Sequence, residues 1–261
     1  MTTPPFEETR PKDYLLRLAA SDLGRVYKSL AVTELGIRRG DTVLDLGCGP
    51  GADLAAFAEA TGGEGRVIGV DNDPAAVAEA AGRTAGVPQV EVVQGDVHAL
   101  DIPDASVDRV HTDRVLQHVG DAAAVLREAR RVVRTGGSAV FAEPDWDTLI
   151  IDYPDLAVPR AYTRFVAERV IRNSCIGRQL AGLAARAGFE VGKVIPITMV
   201  ARDVEAADKV LGLSRVTSRA VGAGYLTEET AGQWLDRLAG QPFFGSLTLF
   251  IVTAAAIDPA G

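Results

Sequence analysis

One stretch, residues 41–73, limits what this chain can fold into: DTVLDLGCGPGADLAAFAEATGGEGRVIGVDND. Residues 42–46 form a short apolar run of strand character. The run breaks into Gly47-Cys48-Gly49-Pro50-Gly51, after which Leu54, Phe57 and Ala58 recur at helical spacing. A second apolar run, 66–70, ends on Asp71. Strand, glycine turn, helix, strand and acid make a nucleotide-binding βαβ order. The glycines let backbone approach a ligand that the helix N-terminus faces.

The kind of nucleotide follows from spacing and charge. A dinucleotide fold uses G-x-G-x-x-G, whereas here the glycines are Gly47, Gly49 and Gly51, with Asp45 two positions ahead of them. An acid there repels a pyrophosphate and suits a cationic amino group. VLDLGCGPG resembles motif I of the class I S-adenosylmethionine-dependent methyltransferases, and further pieces follow in that family's order. Asp71, 20 residues beyond Gly51, stands where the family's acid accepts both ribose hydroxyls. Gly95-Asp96-Val97 follows a third strand at 90–93, and in the family that acid holds the adenine amino group. Ser106-Val107-Asp108-Arg109-Val110 opens a fourth strand, and residues 127–137 match the helix and turn before a fifth. Together with LQHV and an R-x-x-R-T-G-G turn, these motifs look like the branch that includes the quinone-biosynthesis C-methyltransferases and small-molecule enzymes of bacterial secondary metabolism.

The resemblance implies an α/β fold: a Rossmann-like three-layer sandwich on a mixed seven-stranded sheet, last strand antiparallel, with a helical lid. It also implies S-adenosylmethionine as cofactor, bound by Tyr27, Asp45, Gly47, Cys48, Gly49, Asp71, Asn72, Asp96, Val97 and Arg114, with Asn72 and Val97 flanking the adenine. The expected reaction is methyl transfer to a carbon, oxygen or nitrogen of a small molecule. The alternative is a relative that binds the cofactor without transferring methyl, as a cyclase or scaffold. A nicotinamide enzyme is disfavoured by Asp45 and Asp96.

Composition narrows the partners. The chain has 261 residues, a net charge of −8 and no basic runs, which argues against a nucleic-acid substrate. Residues 1–14 have no apolar h-region, and no apolar run reaches the roughly 18 residues of a membrane span, so a cytoplasmic protein is expected. Cys48 and Cys175 imply no disulfide framework, and His98, His111 and His118 show no ligand spacing, so no metal is expected. The expected partner is a small-molecule acceptor, with homodimerisation left open.

Taken in order, residues 1–36 read as an N-terminal helical cap, 37–144 as the cofactor-binding core and 145–176 as a lid insertion. Residues 177–202 continue the core, 203–244 form a second lid insertion, and 245–261 supply the final strand and tail. Tyr14 and Tyr27 either reach the cofactor's methionine end or pack between helices. Residues 112–119, TDRVLQHV, resemble the family's variable loop between strand four and its helix, where cofactor and substrate meet. Within it Arg114 suits positioning, of the cofactor carboxylate or a substrate anion, because guanidinium does not deprotonate. Strand five is expected at 138–142, ending in Glu143-Pro144-Asp145-Trp146-Asp147, acids placed where open α/β sheets bind ligands. His118 and Glu143 are the competing catalytic bases, if the acceptor needs one; the alternative for His118 is a helix-start residue whose ring packs or hydrogen-bonds to the backbone. Tyr14, Trp146, Tyr153, Tyr162, Phe165 and Trp234 are expected to wall an apolar substrate pocket; packing of the lid on itself is the alternative, above all for Trp234.

Overall fold

The computed structural model describes residue 16, residues 22–240 and residues 242–258. Helix α1 (Asp22–Leu35) leads into β1 (Thr42–Leu46), α2 (Leu54–Thr61), β2 (Arg66–Asp71), α3 (Pro74–Thr84) and β3 (Val90–Gln94). The chain continues through β4 (Val107–Asp113), α4 (Ala122–Val132) and β5 (Val133–Ile151). The strands order as β3-β2-β1-β4-β5-β7-β6, with β6 (Glu190–Ala201) on the edge and β7 (Gly245–Ala255) between it and β5. The five strands β3, β2, β1, β4 and β5 run parallel, and β7 is antiparallel to both its neighbours.

Both faces of the sheet are covered, which explains the unbroken apolar runs in the sequence. Alternate residues of one strand serve opposite layers. Ala139 and Phe141 of β5 pack with α4 and with α6 (Ile176–Arg186). Val140 and Ala142 pack on the side of α1, α2 and α3, with Tyr27, Leu54, Phe57 and Ala80.

Strand β5 is longer than the sequence suggests. It runs through the acidic segment to Ile151, pairing with β7 from Ser138↔Ala255 to Ile151↔Gly245 with a register shift between Asp145 and Ile150. Glu143 and Asp145 are therefore strand residues, both fully buried. Each carboxyl has partners supplied by a distant segment: Arg178 of α6 binds both oxygens of Asp145, with Nη2 2.8 Å from Oδ1, while Glu143 meets backbone amides. Burial of a carboxylate in a strand is tolerable only with such partners.

The lid has one core of its own. Helix α5 (Ala157–Phe165) and the π turn Val166–Val170 come from the first insertion. Helices α7 (Val204–Leu211), α8 (Leu213–Gly222) and α9 (Glu228–Gly240) come from the second. Helix α9 starts at Thr227, whose Oγ1 accepts from Thr230 N at 3.1 Å. Both insertions bury their apolar faces together: Tyr162, Phe165 and Val166 against Leu213, Val216, Trp234 and Leu238, on the Leu149–Ile151 end of β5.

Candidate active site

The turns after β1, β2, β3 and β4 converge at the C-terminal edge of the parallel strands, where such sheets bind ligands. After β1, Gly47 N and Cys48 N both donate to Val70 O, at 2.7 and 3.0 Å. Gly47 has φ +68°, and a Cβ added there would meet Val115 Cγ2 at 2.4 Å, so only glycine fits. Asp71, at the end of β2, ties two turns together: Oδ2 accepts from Gly49 N (2.8 Å) and Oδ1 from Asp73 N (2.9 Å). Asp96, after β3, accepts from His98 N (2.9 Å) and lies 2.6 Å from His98 Nδ1. His98 Nε2 in turn accepts from Asp121 N at 3.4 Å, which leaves the imidazole proton on Nδ1, facing Asp96. These bonds to His98, backbone first, hold the exposed Asp96 carboxyl below its usual range.

A cavity of about 540 Å³ lies among these turns, lined by Gly47, Gly49, Asp71, Asn72, Asp96, Val97 and His98 from the first three turns and by Asp113, Arg114, Val115, His118, Val119 and Gly120 from the end of β4 and the loop after it. A smaller annex of about 40 Å³ shares Gly47, Gly49, Asp113 and Arg114 and adds Lys28, Asp45, Cys48, Pro50, Ala52 and Asp53. Lys28 Nζ bridges Asp53 Oδ2 and Asp113 Oδ2, each at 2.5 Å. Asp113 Oδ2 also accepts from Tyr27 OH (3.0 Å), and its Oδ1 lies 3.4 Å from Arg114 Nε. Burial alone would raise the Asp113 pKa; the Arg114 and Lys28 charges outweigh it and hold the carboxyl well below its ordinary value. Burial likewise opposes the Lys28 charge, and Asp113 overcomes it, raising that pKa. The phenol of Tyr27 is pushed up, by burial first and then by Asp113, so it stays a donor.

Behind the glycine turn, Asp45 Oδ1 lies 2.8 Å from His111 Nδ1, with both side chains buried and the Phe57 ring edge-on to the imidazole at 5.0 Å. Burial lowers the His111 pKa, and the bond to Asp45 more than reverses it. Among the described residues no three His, Cys, Asp or Glu side chains gather as a metal site, and no helix is long and apolar enough to cross a membrane.

With that geometry in place, comparison with known proteins is decisive. Residues 37–176 match the family model described as a methyltransferase domain. The chain belongs to this methyltransferase family. Its cofactor is S-adenosylmethionine. The donor set suits that molecule: bare glycine backbone and the carboxylates of Asp71 and Asp96 share one cavity, and paired cations and acids line its annex. An uncharacterised 37.1 kDa protein of transposon TN4556 from Streptomyces fradiae is 54% identical over 253 residues, covering 96% of this chain and 73% of that protein. Demethylmenaquinone methyltransferase of Staphylococcus aureus is 31% identical over 137 residues, covering 52% of this chain and 57% of the relative. Among solved structures, the YcgJ protein of Bacillus subtilis superposes with a TM-score of 0.67 at 17% identity, over 90% of this chain and 99% of that one.

Several expectations are corrected by the methyltransferase's structure. Gly47, Gly49, Asp71, Asn72, Asp96, Val97, Arg114 and His118 line the main cavity, while Asp45 and Cys48 reach only the annex. Tyr27 lines neither; fully buried, it anchors Asp113. Glu143 lines neither described cavity; it is enclosed beneath the 114–120 loop, where it accepts from Leu116 N. Tyr162, Phe165 and Trp234 are core rather than pocket: Trp234 is fully buried, donates Nε1 to Thr217 Oγ1 at 3.2 Å, and packs on Tyr153 and Tyr162 at ring distances of 5.1 and 5.9 Å. Trp146 packs against the same core and donates Nε1 to Gln117 Oε1 at 2.7 Å. For Tyr162, Phe165 and Trp234 the reason is shared: helix faces from two insertions satisfy each other's burial, while Trp146 and Tyr153, half-buried on and just after β5, pack at the margin of that core. Tyr14 lies outside the described residues. Residue pattern alone does not single out Lys28, His98, His111 or Asp113. Of these, Asp113 is recoverable as the last residue of β4, at the ligand-binding edge.

Proposed function

We propose that this methyltransferase transfers its methyl group to a small molecule that enters the main cavity beside Arg114, Val115 and His118. The observation that carries the reading is the shared lining of one cavity. Glycine-turn backbone, Asp71 and Asp96 line it together with residues of the 114–120 loop, and the buried aromatics Tyr162, Phe165 and Trp234 are core residues that do not line it. A cavity of this size, in a protein of net charge −8, favours a small neutral or cationic acceptor over a polyanion. The name of the demethylmenaquinone-directed relative favours a quinone-type ring acceptor.

S-adenosylmethionine supplies, when bound, a methyl group already activated on sulfonium. The chain's part is to bind, orient and deprotonate. Asp71 accepts the ribose hydroxyls, and Asp96, held by His98, meets the adenine amino group. Lys28, Asp53, Asp113 and Arg114 receive the charged methionine end through the annex. Holding the acceptor in line carries much of the acceleration. His118, exposed at the cavity wall, takes the acceptor's proton where the acceptor is a neutral hydroxyl or carbon acid.

The test is formation of S-adenosylhomocysteine from S-adenosylmethionine with a panel of quinols, phenols and amines, followed by mass spectrometry. One acceptor is expected to yield methylated product. With it, His118→Ala should lose about 100-fold in turnover at unchanged cofactor affinity. Cofactor binding without turnover on any acceptor would replace methyl transfer by the cyclase or scaffold role.

A further inference from the structure

The loop after β4, residues 114–120, forms one wall of the cavity, and its shape is not one the backbone adopts unaided. Arg114 has φ +59°, in the left-handed region that costs a non-glycine residue on the order of 1 kcal/mol or more. Such strain persists only where the surroundings over-determine it. Here they do so through an unusual concentration of polar contacts. Glu143 of β5 accepts from the loop's amides, Leu116 N at 2.5 Å and Gln117 N at 3.4 Å. Asn173, which follows the lid's π turn, takes the loop's carbonyls: its Nδ2 donates to Leu116 O at 2.7 Å and to Val119 O at 2.9 Å, and its own amide donates to Gln117 O at 3.1 Å. Gln117 closes the network, donating Nε2 to Arg114 O at 3.1 Å and accepting from Trp146 Nε1 at 2.7 Å. Trp146 N in turn donates to Ser174 O at 2.8 Å.

We propose that Asn173 and Glu143 are positioning residues of the methyl-transfer cavity, gripping the 114–120 loop by its carbonyls and its amides so that Arg114, Val115 and His118 are presented to cofactor and acceptor. The inference deepens the proposed function and rests on this cavity being the reaction site. It gives the lid a part in the chemistry that does not require a pocket of its own. Neither side chain touches a ligand; both act through the loop. Asn173 suits its place because a primary amide carries two donors, enough for two carbonyls at once. Glu143 suits its place because one carboxyl can serve two successive amides.

The test titrates the full chain with S-adenosylhomocysteine by calorimetry, each protein held well below its own unfolding midpoint. Asn173→Ala and Asn173→Asp both remove the paired donors and are expected to weaken binding about tenfold. Glu143→Gln keeps an oxygen for Leu116 N and is expected to bind within about twofold of wild type, whereas Glu143→Ala should lose as much as the Asn173 variants. A purely structural role would lower the unfolding midpoint of Asn173→Ala and leave the affinity of the folded protein unchanged; that result overturns the proposal. So does a Glu143→Gln variant as impaired as Glu143→Ala. Should the Asn173 variants not fold, hydrogen exchange on the wild type decides. Protection of the Asn173 amide, which donates to Gln117 O, together with the Leu116 amide, which donates to Glu143, supports the grip, and exchange of either at the rate of free loop amides overturns it. Failure of the wild type to bind S-adenosylhomocysteine would remove the cavity's assignment first and this inference with it, a result separable from any variant's behaviour.

Discussion

Replacing Glu143 by Gln should remove a pH dependence of stability that the wild type carries. Burial pushes the Glu143 carboxyl from 4.5 up to about 8, against the lowering effect of the Leu116, Val115 and Gln117 amides, and the nearby Asp113 charge adds to the rise. A carboxyl with a raised folded-state pKa holds its proton more tightly in the folded chain than in the unfolded one. Its contribution is complete below the unfolded value and is lost as pH climbs through the folded one. At about 1.4 kcal/mol per pKa unit, the span from 4.5 to about 8 is worth on the order of 5 kcal/mol in full, and about 3–4 kcal/mol of it is lost between pH 5 and 8. A carboxamide imitates the neutral acid: it offers an oxygen to Leu116 N and never ionises. Urea unfolding of wild type and Glu143→Gln across pH 5 to 8 isolates the effect, because every other titrating group is common to both. The gap between the curves should move in favour of the variant by about 3–4 kcal/mol as pH rises. A gap that stays within about 1 kcal/mol over that range would refute the reasoning and mean that Glu143 is ionised in the folded protein at low pH.

If Asp71 accepts the ribose hydroxyls as proposed, Asp71→Ala should weaken S-adenosylhomocysteine binding by roughly 1.5–3 kcal/mol in calorimetry; it also frees Gly49 N and Asp73 N together. Wild-type affinity would take Asp71 out of the site. Trp234→Ala should cost about 3–5 kcal/mol in urea unfolding through the cavity it leaves in the lid core, yet hold affinity within about twofold below its unfolding midpoint, since Trp234 lines neither cavity. A large affinity loss in the folded variant would return the lid aromatics to the substrate pocket.

The glycine turn is legible in the sequence because its constraints are local. Gly47 needs a positive φ, and Asp71 ends an apolar strand 24 residues on; both are visible as residue types at fixed spacing, whereas the packing of Gly47 on Val115 is not. Strand β5 is hard to read for the opposite reason. Its acids look like a solvated loop until their partners are known, and those lie 27 residues back at Leu116 and 33 residues on at Arg178. The lid aromatics mislead in the same way. Helical spacing states that Trp234 and Tyr162 need burial, but not that two insertions separated by the 177–202 segment bury one another.

His111 and Asp45 show where sequence reading can be pushed further. Spacing along the chain gives His111 no role, yet Asp45↔His111 is a register pair of the adjacent parallel strands β1 and β4. Once both strands are assigned and anchored by their apolar residues, parity settles the face each side chain takes. Val43 of β1 and Val140 of β5 serve the α1–α2 layer, as Asp45 must by the two-residue period. A polar residue that parity forces into an apolar layer demands a partner on a neighbouring strand at the same level. In β4 the candidate at that level is His111. Once β5 is known to run on to Ile151, the same parity turns Glu143 and Asp145 inward on one face of the strand, with Ala139 and Phe141, and so requires partners for both carboxyls.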